Sequence, residues 1–211
     1  MKRLFFLLFS VATLGCGINN IGDGNGVLLV DASADFDGNR TRVRVDVFRN
    51  GLQLDDTNAI VQVAIGEDGV LQGLNFQGNN RFEIDLDGYT QELHLAVNSA
   101  ADNVDVVFTG PDIPTIDAPT AGQTVNISQG EDLQVQWSSE DGDATQVRIS
   151  TQGFSTTIID DPNSFTIPFF DVDVDANEVT VQRTNVALLD GGADGSTFRI
   201  SAETTVGFNA Q

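Results

Sequence analysis

The chain has 211 residues, with 31 acidic against 10 basic side chains and a formal net charge of −21. Acidity on that scale excludes nucleic-acid binding, which needs a basic footprint, and bare electrostatic attraction to anionic lipid headgroups. Hydrophobic residues make up 40% of the chain and 21 residues are glycine. The apolar residues alternate in short runs, the pattern of a folded all-β protein rather than of an acidic disordered one. The charge itself reads as a solvated surface.

Met1, Lys2 and Arg3 open the chain with positive charge, residues 4–14 (LFFLLFSVATL) carry none, and Gly15 and Cys16 follow. A positive start, a short apolar run and a small residue before the cut describe a secretory signal over residues 1–15. The run is too short to span a bilayer, which takes about 20 residues. Residues 12–16, ATLGC, resemble the lipobox of bacterial lipoproteins, departing from it at Thr13, where leucine is usual. The resemblance implies that the signal is removed, that Cys16 receives a diacylglyceryl group and that the new amino terminus is acylated. Cys16 is the only cysteine, so it has no partner for an internal disulfide, and lipidation gives it a role. Gly17 stands where such lipoproteins carry aspartate for retention in the inner membrane, which implies the outer membrane. The implied partner is thus the membrane itself, reached through acyl chains that each contribute about 0.8 kcal/mol per buried methylene.

Residues 16–26 read as the lipidated cysteine and a flexible Gly- and Asn-rich tether. A first domain is expected over 27–110. Its predicted strands are 27–34, 40–48, 59–65, 70–76, 81–86, 91–97 and 103–109. In the second of these, Val43, Val45 and Val47 alternate with Arg42, Arg44 and Asp46, the period of a half-buried antiparallel strand. Turn residues such as DFDGN at 35–39 and RNG at 49–51 separate the strands. Seven short strands in this span suggest an immunoglobulin-like sandwich. Tyr89, the only tyrosine, resembles the tyrosine corner of such sandwiches, whose hydroxyl bonds backbone across a loop.

Three of the five prolines fall in residues 110–119, marking a junction. A second domain is expected over 111–211, with strands at 132–139, 144–150, 154–160, 164–170, 178–184 and 196–208. A proline-rich lead into a strand ending in Trp137 resembles the start of fibronectin type III modules. Trp137 shares a face with Leu133 and Val135 and is read as a core anchor. The fold class is therefore all-β: two tandem immunoglobulin-like β-sandwiches, the second fibronectin type III-like.

Chemistry is sparse. His94 is the only histidine and reads as an exposed strand residue. Phosphate-loop, dinucleotide, zinc and nucleophile-elbow motifs are absent. Calcium, which takes six to eight oxygens, is the one cofactor reading. Asp35, Asp37 and Asn39, with Asp31 before them, form one oxygen-rich group; Asp171, Asp173 and Asp175, with Asn177, form another; Asp190 and Asp194 a third. The second begins like an EF-hand loop but has Ala176 in place of glycine and Gln182 in place of the bidentate glutamate. In a straight strand its aspartates would stand about 6.6 Å apart, too wide for one ion. The expected function is that of a non-enzymatic envelope lipoprotein, a structural or protein-interaction module with an envelope or extracellular protein or glycan partner. The alternative is a calcium-dependent adhesin or carbohydrate-binding surface module, which would show exposed aromatics beside an Asp-rich loop. Phe169 and Phe170, beside Asp171, are read as core. A hydrolase would need a nucleophile or metal set that the sequence does not offer.

Overall fold

The computed structural model describes residues 28–100, 102–140, 142 and 144–211. Cys16, the signal and the tether lie outside them. The regular structure of the described chain is almost entirely strand. The first stretch contains β1 (Leu28–Phe36), β2 (Arg40–Arg49), β3 (Leu52–Gln53), β4 (Ile60–Ile65), β5 (Gln72–Gly73), β6 (Asn75–Gly78), β7 (Arg81–Asp87), β8 (Glu92–Ser99) and β9 (Asp102–Thr109). The second contains β10 (Thr115–Ala118), β11 (Thr124–Val125), β12 (Leu133–Ser138), β13 (Gln146–Ser150), β14 (Ser155–Ile159), β15 (Ser164–Ile167), β16 (Asp175–Leu188) and β17 (Thr197–Ala210). Two 3-10 turns cover Ile127–Gln129 and Phe169–Asp171.

Local chemistry sets the turns. Between β1 and β2, the Asp37 carboxylate accepts the backbone N–H groups of Asn39 and Arg40, each at 3.1 Å, and Gly38 takes φ +96°. Asn50 and Gly51, both at positive φ, join β2 to β3, as a tight hairpin with right-handed strand twist demands.

The strands form sandwiches of largely antiparallel, immunoglobulin-like order. In the first, β1-β2-β7-β6 faces β5-β4-β8-β9, the four-against-CFG arrangement of the constant-type domain with one added edge strand. In the second, β10-β12-β15 faces β14-β13-β16-β17. Each encloses its own core. Val43, Val45, Val61, Leu95 and Phe82 belong to the first, and Leu133, Val135, Trp137, Ile149 and Val181 to the second.

The cores do not divide at residue 110. Strands β14-β13-β16-β17-β1-β2-β7-β6 make one continuous path within a ten-stranded sheet. The seam is a parallel pairing of β17 with β1, from Asp31 opposite Thr197 to Phe36 opposite Ala202. Strands β16 and β17 are 14 residues each. Their distal halves supply Val179, Val181 and Phe208 to the second core, while Leu189, Phe198 and Ile200 enter the first. A domain of residues 27–110 alone would therefore lack part of its own interior. The sequence shows only the local alternation along 196–208, not which core each half of that strand enters.

Some strand ends also differ from expectation. The run 70–76 splits into β5 and β6, which join different sheets. The run 164–170 stops at Ile167, because Pro168 cannot continue the ladder and leads into the 3-10 turn.

Candidate functional site

The molecule has two poles. At one, the Leu28 carbonyl accepts the N–H of Ala193 at 2.6 Å, so the described chain begins beside the β16–β17 turn. At the other, Asp175 pairs with Ala210, at the open end of that hairpin. Fourteen residues at ~3.3 Å each separate the poles by roughly 45 Å.

The far pole carries the Phe169–Asp171 turn. The N–H of Phe169 donates to Asp132 Oδ1 at 3.0 Å. The neighbouring Ile127–Gln129 turn is tied to the chain end by Ser128 N–H to the Gln211 carbonyl at 3.0 Å. Phe169 and Phe170, read as core from the sequence, stand out: they are 41% and 73% exposed, with Val174 beside them at 62%. Their rings meet edge to face with centroids 5.5 Å apart. Pro168 forces the outward turn; period two alone would have sent one of the rings inward. A groove of about 670 Å³ opens at the same pole, where the adjoining ends of β13, β16 and β17 meet. Ser150, Gln152, Glu178, Thr180 and Asn209 line it with hydroxyls, amides and a carboxylate. Its volume falls within the range of small-molecule sites.

The candidate calcium ligands are not gathered. Among the described residues no three His, Cys, Asp or Glu side chains stand together as metal ligands. Asp35 accepts the hydroxyls of Ser201 (2.5 Å) and Ser33 (3.2 Å), whereas Asp37 folds back into its own turn. Those backbone N–H groups hold the Asp37 carboxyl below the usual range. Asn39 contributes its backbone N–H to that turn. Asp171 closes the 3-10 turn, the Asp173 carbonyl accepts Asn177 Nδ2 at 2.7 Å, and Asp175 opens β16 at φ +99°.

The lone histidine is less exposed than its position suggests. His94 is 17% exposed at the side chain and its Nε2 meets Asp105 Oδ1 at 2.7 Å on the neighbouring strand. Trp137 lies in the second core as expected, and its Nε1–H donates to Asp161 Oδ1 at 2.7 Å. Tyr89 does bond backbone through its hydroxyl, but to the Pro111 carbonyl at the junction. Burial, and then the Asp112 carboxylate, push its pKa up.

Two further arrangements were not visible in the sequence. Arg183 and Asp161 form an ion pair at the junction, Nε to Oδ2 2.6 Å, with both side chains 1% exposed. The guanidinium also donates to the carbonyls of Asp112 (3.1 Å) and Gly142 (2.5 Å). Second, Arg40, Arg42, Arg44, Arg81, Arg148 and Arg199 share the solvent face of the ten-stranded sheet, in register with one another's rows. Cross-strand pairs lace it: Arg42 to Asp85 at 2.9 Å, Arg44 to Glu83 at 3.1 Å, Arg81 to Asp46 at 3.0 Å. Hydrogen bonding from Arg42 holds Asp85 below the usual carboxyl range. Exposed pairs of this kind contribute about 0–1 kcal/mol each, so they mark register and solubility more than stability.

The described residues thus form a largely antiparallel β-sandwich protein of immunoglobulin-like order. Among the described residues no helix is long and apolar enough to cross a membrane. No family model matches the chain, and no curated protein matches it. Solved structures similar to it include the fibronectin(III)-like modules of Clostridium thermocellum CbhA, at 12% identity over 87% of this chain and 90% of that one, TM-score 0.31. They include the Yersinia pseudotuberculosis adhesin InvE, at 14% identity over 89% of this chain and 62% of that one, TM-score 0.28. A biofilm-associated protein's BSP domain is similar at 14% identity over 87% of this chain and 30% of that one, TM-score 0.29.

Proposed function

We propose that the protein is an adhesive surface module of the bacterial envelope, held in the outer membrane by lipid on Cys16 and contacting a protein or glycan with its far pole. The observation that carries this reading is the exposed Phe169–Phe170 pair at the pole opposite Leu28, where the described chain begins. Large side chains left in water cost burial energy of about 1.5–3 kcal/mol each. A tip that displays them at the same pole as a polar groove offers ring faces and hydrogen-bonding groups on one end of the molecule, which suits a sugar or a peptide. The fused sheet supports the reading as a stiff spacer between anchor and tip.

Two measurements test it. Cys16→Ser is expected to abolish incorporation of labelled palmitate and to release the protein from membranes; undiminished labelling would remove the anchor. The double variant Phe169→Ser, Phe170→Ser is expected to keep its melting temperature within a few degrees while cutting attachment of expressing cells to glycan- or protein-coated surfaces at least ten-fold. Full attachment by a folded double variant would remove the tip.

A further inference from the structure

Six strands end the three sheet paths of the described residues, and five of these edges are guarded. Strand β5 is only two residues long. Strand β6 has four residues and loses register between Phe76 and Gly78. Strand β9 is covered by the long hairpin: Asn185 Nδ2 donates to the Thr109 carbonyl at 3.2 Å, and Gly191 lies against the Asn103 carbonyl. Strand β10 is bulged between Ile116 and Ala118 and has Pro114 and Pro119 on either side, and four-residue β15 sits between Pro162 and Pro168. Short length, bulges, prolines and covering segments are the devices by which sheets avoid edge-to-edge pairing.

Strand β14 has none of them. It pairs with β13 in unbroken register over all five residues and contains neither charge nor proline, only Ser155, Thr156, Thr157, Ile158 and Ile159. Ile159 is 71% exposed. Behind the strand, Phe154 stacks on Phe165 with centroids 6.0 Å apart, closing the sandwich interior while leaving the backbone edge open. The hydrogen-bond phase shows which groups are free. Thr151 N–H donates to the Phe154 carbonyl and Asp160 N–H to the Thr145 carbonyl. Alternate residues of an antiparallel pair bond the same neighbour, so the N–H and C=O groups of Ser155, Thr157 and Ile159 point away from β13.

We propose that β14 pairs antiparallel with β14 of a second copy, about a two-fold axis through Thr157. In that register Ser155 faces Ile159 of the other copy and Thr157 faces its own counterpart, so all the outward groups meet in phase. Asp160 falls opposite Phe154, and no two carboxylates face each other, which matters for a chain of charge −21. Because β14 runs broadly along the line between the poles, antiparallel pairing points the two tethers in opposite directions. It therefore joins copies on apposed membranes rather than neighbours in one. A five-residue strand buries less than the roughly 1,000 Å² of a stable interface, so a single contact is weak and many copies act together. The apposition rests on the adhesive reading above; the pairing does not.

Sedimentation equilibrium of the full chain carrying Cys16→Ser is expected to show a concentration-dependent dimer. Thr157→Lys places two ammonium groups at the axis without touching a hydrogen bond to β13, and is expected to weaken that dimer at least ten-fold. The backbone amides of Ser155, Thr157 and Ile159 are expected to exchange more slowly as protein concentration rises. A monomer at every concentration, or a dimer indifferent to Thr157→Lys, would overturn the pairing. Protection independent of concentration would also overturn it, by showing that another part of the same chain covers the edge. Phosphatidylcholine vesicles bearing the lipidated chain are expected to cluster, and those bearing Thr157→Lys to stay dispersed; clustering by both would overturn the apposed-membrane arrangement even if the solution dimer stands. Loss of palmitate labelling in the wild type would remove the anchor and leave the solution dimer untouched.

Discussion

Arg183 sits in the interior with each of its three guanidinium nitrogens matched: Asp161 takes Nε, and the Asp112 and Gly142 carbonyls take the two ends of the fork. Asp161 in turn accepts Trp137 and the Ala144 N–H, so one carboxylate holds the tryptophan of the second core and the guanidinium of the junction together. Removing one member of a buried pair strands the other. Arg183→Ala is expected to lower unfolding free energy by about 3–5 kcal/mol in urea titration, well beyond the effect of any arginine on the outer sheet face. The sequence carried half of this arrangement. Val179, Val181 and Arg183 share strand parity, so the period that buries the valines also buries the arginine. Asp161, in the turn after β14, had no periodic signal to join it to that position. Glu203 offers a test with a defined sign. Partial burial, and then the carboxylates of Asp35 and Asp37, raise its pKa. The folded chain thus holds that proton more tightly than the unfolded chain, and the stabilisation is present in acid and lost as pH rises through the folded pKa. Glu203→Gln is expected to raise the melting temperature at neutral pH, by up to about 0.5 kcal/mol in stability, and to have no effect near pH 3, where the wild type is already neutral there.

At the scale of elements, the β16–β17 hairpin determines the architecture. Its turn is locked onto the start of β1 by Ala193 N–H to the Leu28 carbonyl and by Ser196 Oγ, which accepts the Val30 N–H at 3.1 Å. Leu189 fills the first core from this turn. Leu189→Ala is expected to cost about 2–5 kcal/mol by cavity formation. The loss should appear as faster amide exchange in β1 and β9, far from the site in sequence. β17 was legible because Phe198, Ile200 and Ala202 alternate with polar residues. Only the middle of β16 was legible. Beyond Val181 its inward positions are Arg183, Asn185 and Ala187, so the apolar period fades where the strand crosses between cores. β10 and β11 were missed because four and two residues are too few to show a period. The exposed Phe169–Phe170 turn was misassigned because a pair of phenylalanines in an apolar run resembles core unless Pro168 is taken as the end of the strand.

For the whole molecule, the all-β class and sandwich order were legible, and the independence of two domains was not. Alternation reports which side of a strand is buried but not against which partner. The parallel pairing of β1 with β17 joins residues separated by more than 160 positions. A shared sheet predicts shared unfolding. Fluorescence of Trp137, which reports the second core, and far-ultraviolet dichroism, which reports every strand, are expected to trace one coincident transition in urea. A second dichroism step with no fluorescence change would mean that the sandwiches melt separately.

The seam between β1 and β17 also dictates an order of events. Synthesis delivers β17 more than 160 residues after β1, so the first sandwich waits for that strand before its interior can close. Until then the nascent chain keeps an unfinished sheet. Termination after Arg199 would remove the residues that pair with β11 and three of the six β1–β17 pairs. What remained would be two incomplete halves instead of a protein missing its tip.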